Sequence, residues 1–172
     1  SRSDLLATTQ VRYHKKTPVK NVGTDPNRYQ GMKYFADELN KLTISKWMKT
    51  VVEPQVGYVP PPLVGIWTRY PYFHNNSVPS LCALLTPVKK RPKVFFQGPA
   101  DNIETDFDSD CVGYPLGKKI PESWKKESDA RIDTSRDGLR NIGHERMLLN
   151  ADGSEKFSKD QKLQLIEFLK TL

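Results

Sequence analysis

The imidazoles and thiols of this sequence number five, His14, His74, His144, Cys82 and Cys111. No histidine has a neighbouring histidine or cysteine at a zinc spacing, and the two cysteines form no C-x-x-C pair. The sequence also lacks a G-x-S-x-G elbow, a Walker loop and a dinucleotide glycine pattern, so the common hydrolase, nucleotidase and Rossmann chemistries lose their usual carriers. What remains is the segment from Gly65 to Leu81, GIWTRYPYFHNNSVPSL. It joins a proline-stiffened loop to large aromatic faces, one arginine (Arg69) and one imidazole (His74). Such a set suits the edge of a flat apolar cofactor bearing carboxylates. The alternative on composition alone is an aromatic loop that plugs a core.

The elements that must hold this loop are unevenly spread. Asp25-Pro26 is a helix start, a capping carboxylate before a proline placed where no N–H is needed. Met32, Phe35, Leu39 and Leu42 follow at helical spacing, which predicts a helix running on towards Trp47 and ending before Glu53-Pro54. From there to about Pro79 neither helical nor strand periodicity survives. Ser80 caps a short predicted helix through Leu85, and Val94-Phe95-Phe96 reads as a brief strand. Residues 98–143 read as a long polar excursion, which implies a function or packing on something absent from the chain. Asn150-Ala151-Asp152-Gly153 reads as a turn without calcium-loop spacing. Ser158 and Gln161 form a capping box, and Leu163, Leu165, Ile166, Phe168, Leu169 and Leu172 give the terminal helix a wide apolar stripe.

At 172 residues and 37% hydrophobic content the sequence is most economically one globular domain, residues 1–172, and 13 prolines against 10 glycines imply much rigid loop. No apolar run approaches the roughly 20 residues of a membrane helix. The start, Ser1-Arg2-Ser3-Asp4, has neither the core nor the cleavage site of a leader. The charge of +7 lies in short clusters such as Lys89-Lys90-Arg91, Lys118-Lys119 and Lys125-Lys126. Without a nucleic-acid fold signature these read as a solvated face or a dock for an acidic redox partner, not as a nucleic-acid site. Two cysteines do not decide the redox compartment, and their pairing as a disulfide stays open.

The loop string resembles the PYLHNGSVPTL-type signature of the dihaem cytochrome c peroxidase superfamily, especially its latex-oxygenase-like branch. Arg91-Pro92 with Phe95, Asp133-Thr134-Ser135, Gly143-His144-Glu145 and Val22-Gly23-Thr24-Asp25-Pro26 resemble further landmarks of that branch. The closing stretch from Phe157-Ser158 to Leu172 is similar to the terminal helix of c-type cytochromes. The resemblance implies a mainly α, cytochrome c-like haem domain with long ordered loops. It implies haem c as cofactor, lined by Trp67, Arg69, Pro71, Tyr72, His74 and Leu81, with His144 as distal axial ligand and Met147 as its competitor.

Two departures qualify this. Asn75-Asn76 replaces Asn-Gly, which asparagine tolerates in the left-handed region, and Arg69 replaces a calcium-ligating threonine, so no calcium is expected. A larger departure is the absence of C-x-x-C-H, the source of the thioethers and of the proximal histidine. The resemblance then implies that this is the C-terminal part of a cytochrome c-like domain. Its haem-bearing N-terminal segment or companion chain would lie outside it, and the protein would be periplasmic or extracellular. The implied function is electron transfer, or haem-dependent oxidoreductase chemistry of the peroxidase or oxygenase type. The rival is a non-haem structural or protein-binding module derived from such a domain.

Overall fold

A computed structural model describes residues 19–172; His14 and the first four residues lie outside that range. The Asp25-Pro26 start is realised as read. The Asn27 N–H donates to Asp25 Oδ1 at 3.0 Å, and Pro26, already helical at φ −82° and ψ −11°, leads into α1, Asn27–Lys41. The single helix expected to reach Trp47 is instead two. Leu42 turns extended (ψ 141°) before α2, Thr43–Met48, and the Leu39 carbonyl at the break accepts the Leu42 N–H at 3.3 Å and the Ser45 hydroxyl at 2.7 Å. The second helix ends on left-handed Lys49, before Glu53-Pro54 as expected.

The short capped helix is also present. In α3, Leu81–Leu84, the Ala83 N–H donates to the Ser80 hydroxyl. Strand β1 is Val94–Phe96. Residues 98–143 overturn the expectation of a polar excursion, since they pack on the chain itself. They contain α4, Ile103–Asp106, α5, Glu122–Lys126, and strand β2, Arg131–Asp133. Strand β2 pairs antiparallel with β1, Ile132 facing Phe95. Further along the same region, residues 111–114 run beside 79–82, with Leu81, Cys82 and Tyr114 N–H groups donating to Val112, Cys111 and Pro79 carbonyls. The strands pass so closely that a Cβ on Gly113 would lie 2.2 Å from the Pro79 oxygen, so only glycine fits there. A disulfide between Cys82 and Cys111, a pairing the sequence alone does not decide, closes this contact.

Two apolar clusters result. Tyr72, Val78, Leu81, Val112 and Leu148 pack with Ile166 of α6, Lys159–Leu169, while Phe95, Tyr114 and Trp124 form the second. Both bonds of the Ser158–Gln161 capping box are made. Only Ile166 of the terminal stripe is fully buried, and Phe168 stays exposed. With 39% helix and 10% strand the architecture is mixed, a correction to the mainly α expectation that follows from the short helices and the β1–β2 pair. Among the described residues, no helix is long and apolar enough to cross a membrane.

The disulfide closes a loop with a sequence separation of 29. Replacing Cys82 and Cys111 together by alanine should lower the unfolding free energy by about 3 kcal/mol. Urea denaturation of the double variant beside the parent checks this, and equal midpoints would deny the bond a stabilising role.

Candidate functional site

Among the described residues, His144 lines a groove of about 440 Å³ together with Asn21, Val22, Gly23, Arg146 and Met147. Gly143 and His144 are consecutive left-handed residues, φ 97° and 61°. A Cβ on Gly143 would lie 2.5 Å from the Thr24 nitrogen, so the glycine lets this turn press against Gly23-Thr24. The His144 N–H then donates to the Val22 carbonyl at 2.9 Å. Its ring stacks on Phe73, centroids 4.9 Å apart and planes 18° apart. Burial first, and the nearby Arg91 cation second, push the His144 imidazole below its ordinary pKa. It is therefore neutral at pH 7, the form that ligates a metal.

Arg91 is a buried cation with backbone partners. Its guanidinium donates to the carbonyls of Ala83, Leu84, Thr86 and Asn141 and lies 5.2 Å from the Phe73 ring centroid. Burial lowers its pKa to about 10, against the opposing pull of Glu145, so it keeps its charge at neutral pH. The same arginine thus ties α3 to the loop before His144 and supports the ring on which His144 stacks.

His74 points elsewhere. Phe73 is left-handed at φ 70°, and the His74 ring stacks on Tyr58 at 3.6 Å and 15°. Its Nε2 is buried without a hydrogen-bond partner among the described residues, and its carbonyl accepts from Arg28 at 2.8 Å. Burial and Arg28 hold this imidazole neutral as well. The Asn75-Asn76 turn is kept, with Asn76 at φ 57°. The Asn75 side-chain amide donates to the Gly138 and Arg140 carbonyls.

One carboxylate orders all these segments. Asp25 is wholly buried. Oδ1 accepts from Asn27, and Oδ2 accepts at 3.1 Å from Gly138 N–H, Arg140 N–H and Arg140 Nε. Burial alone would raise its pKa, but the bonds from Asn27 and Arg140 outweigh it and hold the carboxyl below its ordinary value. Its own carbonyl accepts the Tyr58 hydroxyl at 3.0 Å. From the sequence Asp25 reads as a helix cap and as part of the Val22–Pro26 resemblance, with no sign of its bonds to Gly138 and Arg140. Phe73, Tyr58 and Arg91 acquire their roles through contacts distant in sequence.

The remaining residues expected around a cofactor do not converge with His144. Trp67, with Tyr70, Ile103 and Phe107, lines a separate cavity of about 290 Å³. Arg69 is exposed and donates to the Pro62 carbonyl. Pro71 follows a cis peptide bond after Tyr70. Tyr72 is buried, its hydroxyl donating to the Ile66 and Val112 carbonyls, and Leu81 is fully buried in the core. Met147 shares the groove with His144.

Asp25 carries a pH signature. A carboxyl whose folded pKa lies below its unfolded value of about 3.9 stabilises the fold above that value and loses this contribution as pH falls through the folded pKa. Asp25→Asn should cost about 3 kcal/mol at pH 7, because buried N–H donors and Arg140 lose their anion. Thermal melts from pH 7 to pH 2 check it: the gap between parent and variant should narrow below about pH 4. A constant gap would assign the loss to packing alone.

Comparison with known proteins meets the same region. Residues 57–96 match the family described as RoxA-like, cytochrome c-like. Two proteins of Sinorhizobium fredii (strain NBRC 101917 / NGR234) are also similar. Uncharacterized protein y4iJ is 30% identical over 193 aligned positions, covering 90% of this chain and 30% of y4iJ. Uncharacterized protein y4iM is 35% identical over 123 positions, covering 67% of this chain and 27% of its own length. The chain therefore spans less than a third of either relative. The stretch that holds Tyr58, Phe73, His74 and Arg91 is thus the stretch that matches the RoxA-like cytochrome c-like family, in agreement with the resemblance drawn from the sequence.

Proposed function

We propose that this chain supplies the distal side of a haem c site in a redox protein, with His144 as an axial ligand and the C-x-x-C-H segment on polypeptide outside this sequence. The observation that carries the reading is His144 itself. It is a neutral imidazole held by a left-handed turn and stacked on Phe73, lining a groove, and Phe73 lies in the stretch 57–96 that matches a cytochrome c-like family. These residues fit an axial ligand. They do not fit covalent attachment, because the two cysteines of the sequence are joined to each other and leave no thiol for a thioether.

When bound, haem supplies one-electron transfer, or activation of peroxide or dioxygen where an axial position is open. The residues of this chain then have definable tasks. Phe73 fixes the plane of the His144 imidazole, and Arg91 favours the unprotonated ring that donates to a metal. Met147, in the same groove, is the softer ligand whose use would raise the potential. The disulfide supports a periplasmic or extracellular setting, where such bonds persist.

A visible spectrum and a pyridine haemochrome assay of the protein purified together with the polypeptide that carries C-x-x-C-H test the reading at its base, since a sharp Soret band is expected and its absence would leave a non-haem module. In the haem-loaded protein, His144→Ala should convert a low-spin spectrum towards high spin, whereas Met147→Leu should leave it low spin. The reverse pattern would transfer ligation to Met147.

A further inference from the structure

The cavity beside Trp67 is separate from the His144 groove, and its lining, with Tyr70, Ile103, Asp106 and Phe107, is mostly apolar. Its aromatic walls are held by the fold. Tyr70 and Phe107 pack with ring centroids 5.4 Å apart, and Tyr114 meets Tyr70 nearly at right angles at 5.1 Å. Trp67 stands on the short helical turn Ile66–Thr68. That turn is tied to the end of the chain, since the Gly65 N–H donates to the Leu172 carbonyl at 2.8 Å. Trp67 is 44% exposed, so the cavity has an open side.

One buried anion belongs to this apolar surround. Asp106 is 7% exposed. Its Oδ2 accepts the Asp101 and Asn102 N–H groups at 3.1 and 3.0 Å, and its Oδ1 accepts the Thr105 hydroxyl at 2.8 Å. The bonds from Asn102 and Thr105 hold the carboxyl below its ordinary pKa, so it is charged at pH 7. Asp25 has Arg140 as a counter-ion and Asp108 has Lys119, whereas Asp106 pairs with no cation among the described residues. Arg69, the cation next to Thr68, donates to the Pro62 carbonyl and lies outside the lining. Residues 101–110 contain no lysine or arginine. A carboxylate left without a counter-ion on a chain of net charge +7 attracts a cation from outside.

We infer that this cavity binds a quaternary ammonium group, with Trp67, Tyr70 and Phe107 supplying aromatic surface and Asp106 the opposing charge. Aromatic rings attract a cation through their quadrupole, tryptophan most strongly, and the attraction grows where water is excluded. Hydrogen-bonding capacity selects the class of cation. Asp106 already accepts three bonds, the Asn102 Oδ1 accepts the Glu104 N–H, and the Thr68 hydroxyl donates to the Gly65 carbonyl. Few acceptors remain for the N–H groups of a primary ammonium or a guanidinium. An alkylated ammonium brings the charge without donors that need filling. Size agrees, because a cavity of about 290 Å³ lies at the small end of ligand sites and suits a compact head group. The site is independent of the haem reading, since His144 lines a different groove.

Calorimetry of the whole chain with three probes tests this: choline, its uncharged isostere dimethylbutanol, in which a quaternary carbon replaces the nitrogen, and ethanolamine, its primary-ammonium counterpart. Choline should bind about tenfold tighter or more than either of the others. Trp67→Leu should weaken choline about tenfold, whereas Trp47→Leu, on α2 and outside the cavity, should leave it unchanged. Asp106→Asn should weaken choline and leave dimethylbutanol as it was, a difference that a merely loosened loop would not produce. Circular dichroism reports that each variant is folded. Equal affinity for choline and dimethylbutanol would make this an apolar cavity without charge preference and overturn the inference. Tighter binding of ethanolamine than of choline, choline binding that survives Trp67→Leu, or no choline binding at all overturns it too.

Discussion

A single buried carboxylate determines how the parts of this molecule meet. Asp25 sits where the first helix begins, where the 138–140 loop passes and where Tyr58 comes down against His74. An anion without water around it is costly unless its lone pairs are filled. Here three backbone N–H groups and one guanidinium N–H fill them. That requirement fixes the register of segments more than a hundred residues apart. The Arg140 carbonyl, positioned by the same contacts, in turn receives Asn75 and Ser77 from the signature loop. Loosening the carboxylate would loosen the loop as well.

A buried cation works in the complementary sense on the other side of Phe73 and His74. Arg91 has carbonyl oxygens rather than a carboxylate as its hydrogen-bond partners, so its charge is solvated but not cancelled. Burial of His144 first, and the field Arg91 leaves second, lower the pKa of that imidazole. The successive residues Phe73 and His74 therefore face different electrostatic settings, one stacked with His144 near Arg91, the other stacked with Tyr58 near Asp25 and Arg28. A left-handed Phe73 is what permits two adjacent rings to serve two separate stacks.

The loop that carries the cytochrome c-like resemblance is consequently a structural hub. Tyr72 and Leu81 hold it into the core, Cys82 ties it to Cys111, and Phe73 hands its support to His144. Trp67 opens on a different cavity. Under the haem reading, the contribution of this chain centres on the His144 groove, and the rest of the loop acts by holding that groove in shape.

Local signals were legible in the residues alone. The Asp25-Pro26 start, the Ser80 cap, the Val94–Phe96 strand and the Ser158–Gln161 box depend on neighbours within a few positions, and each forms as read. The family resemblance rests on a contiguous string and was legible for the same reason. Whether the Met32–Leu42 stripe is buried could not be read, because periodicity records which side chains share a face and not whether anything covers it. The break at Leu42 left no mark on the apolar spacing, which continues through it. The apparent polar excursion at 98–143 is half of the sheet and half of the disulfide, since its buried apolar residues, among them Val112, Tyr114 and Trp124, matter by position rather than by number. Only the tertiary structure decided that Asp25 would anchor Arg140, that Phe73 would carry His144, and that Trp67 and His144 would line different cavities. Each of those facts turns on how segments far apart in sequence come together, through hydrogen bonds to buried charges and through ring stacking.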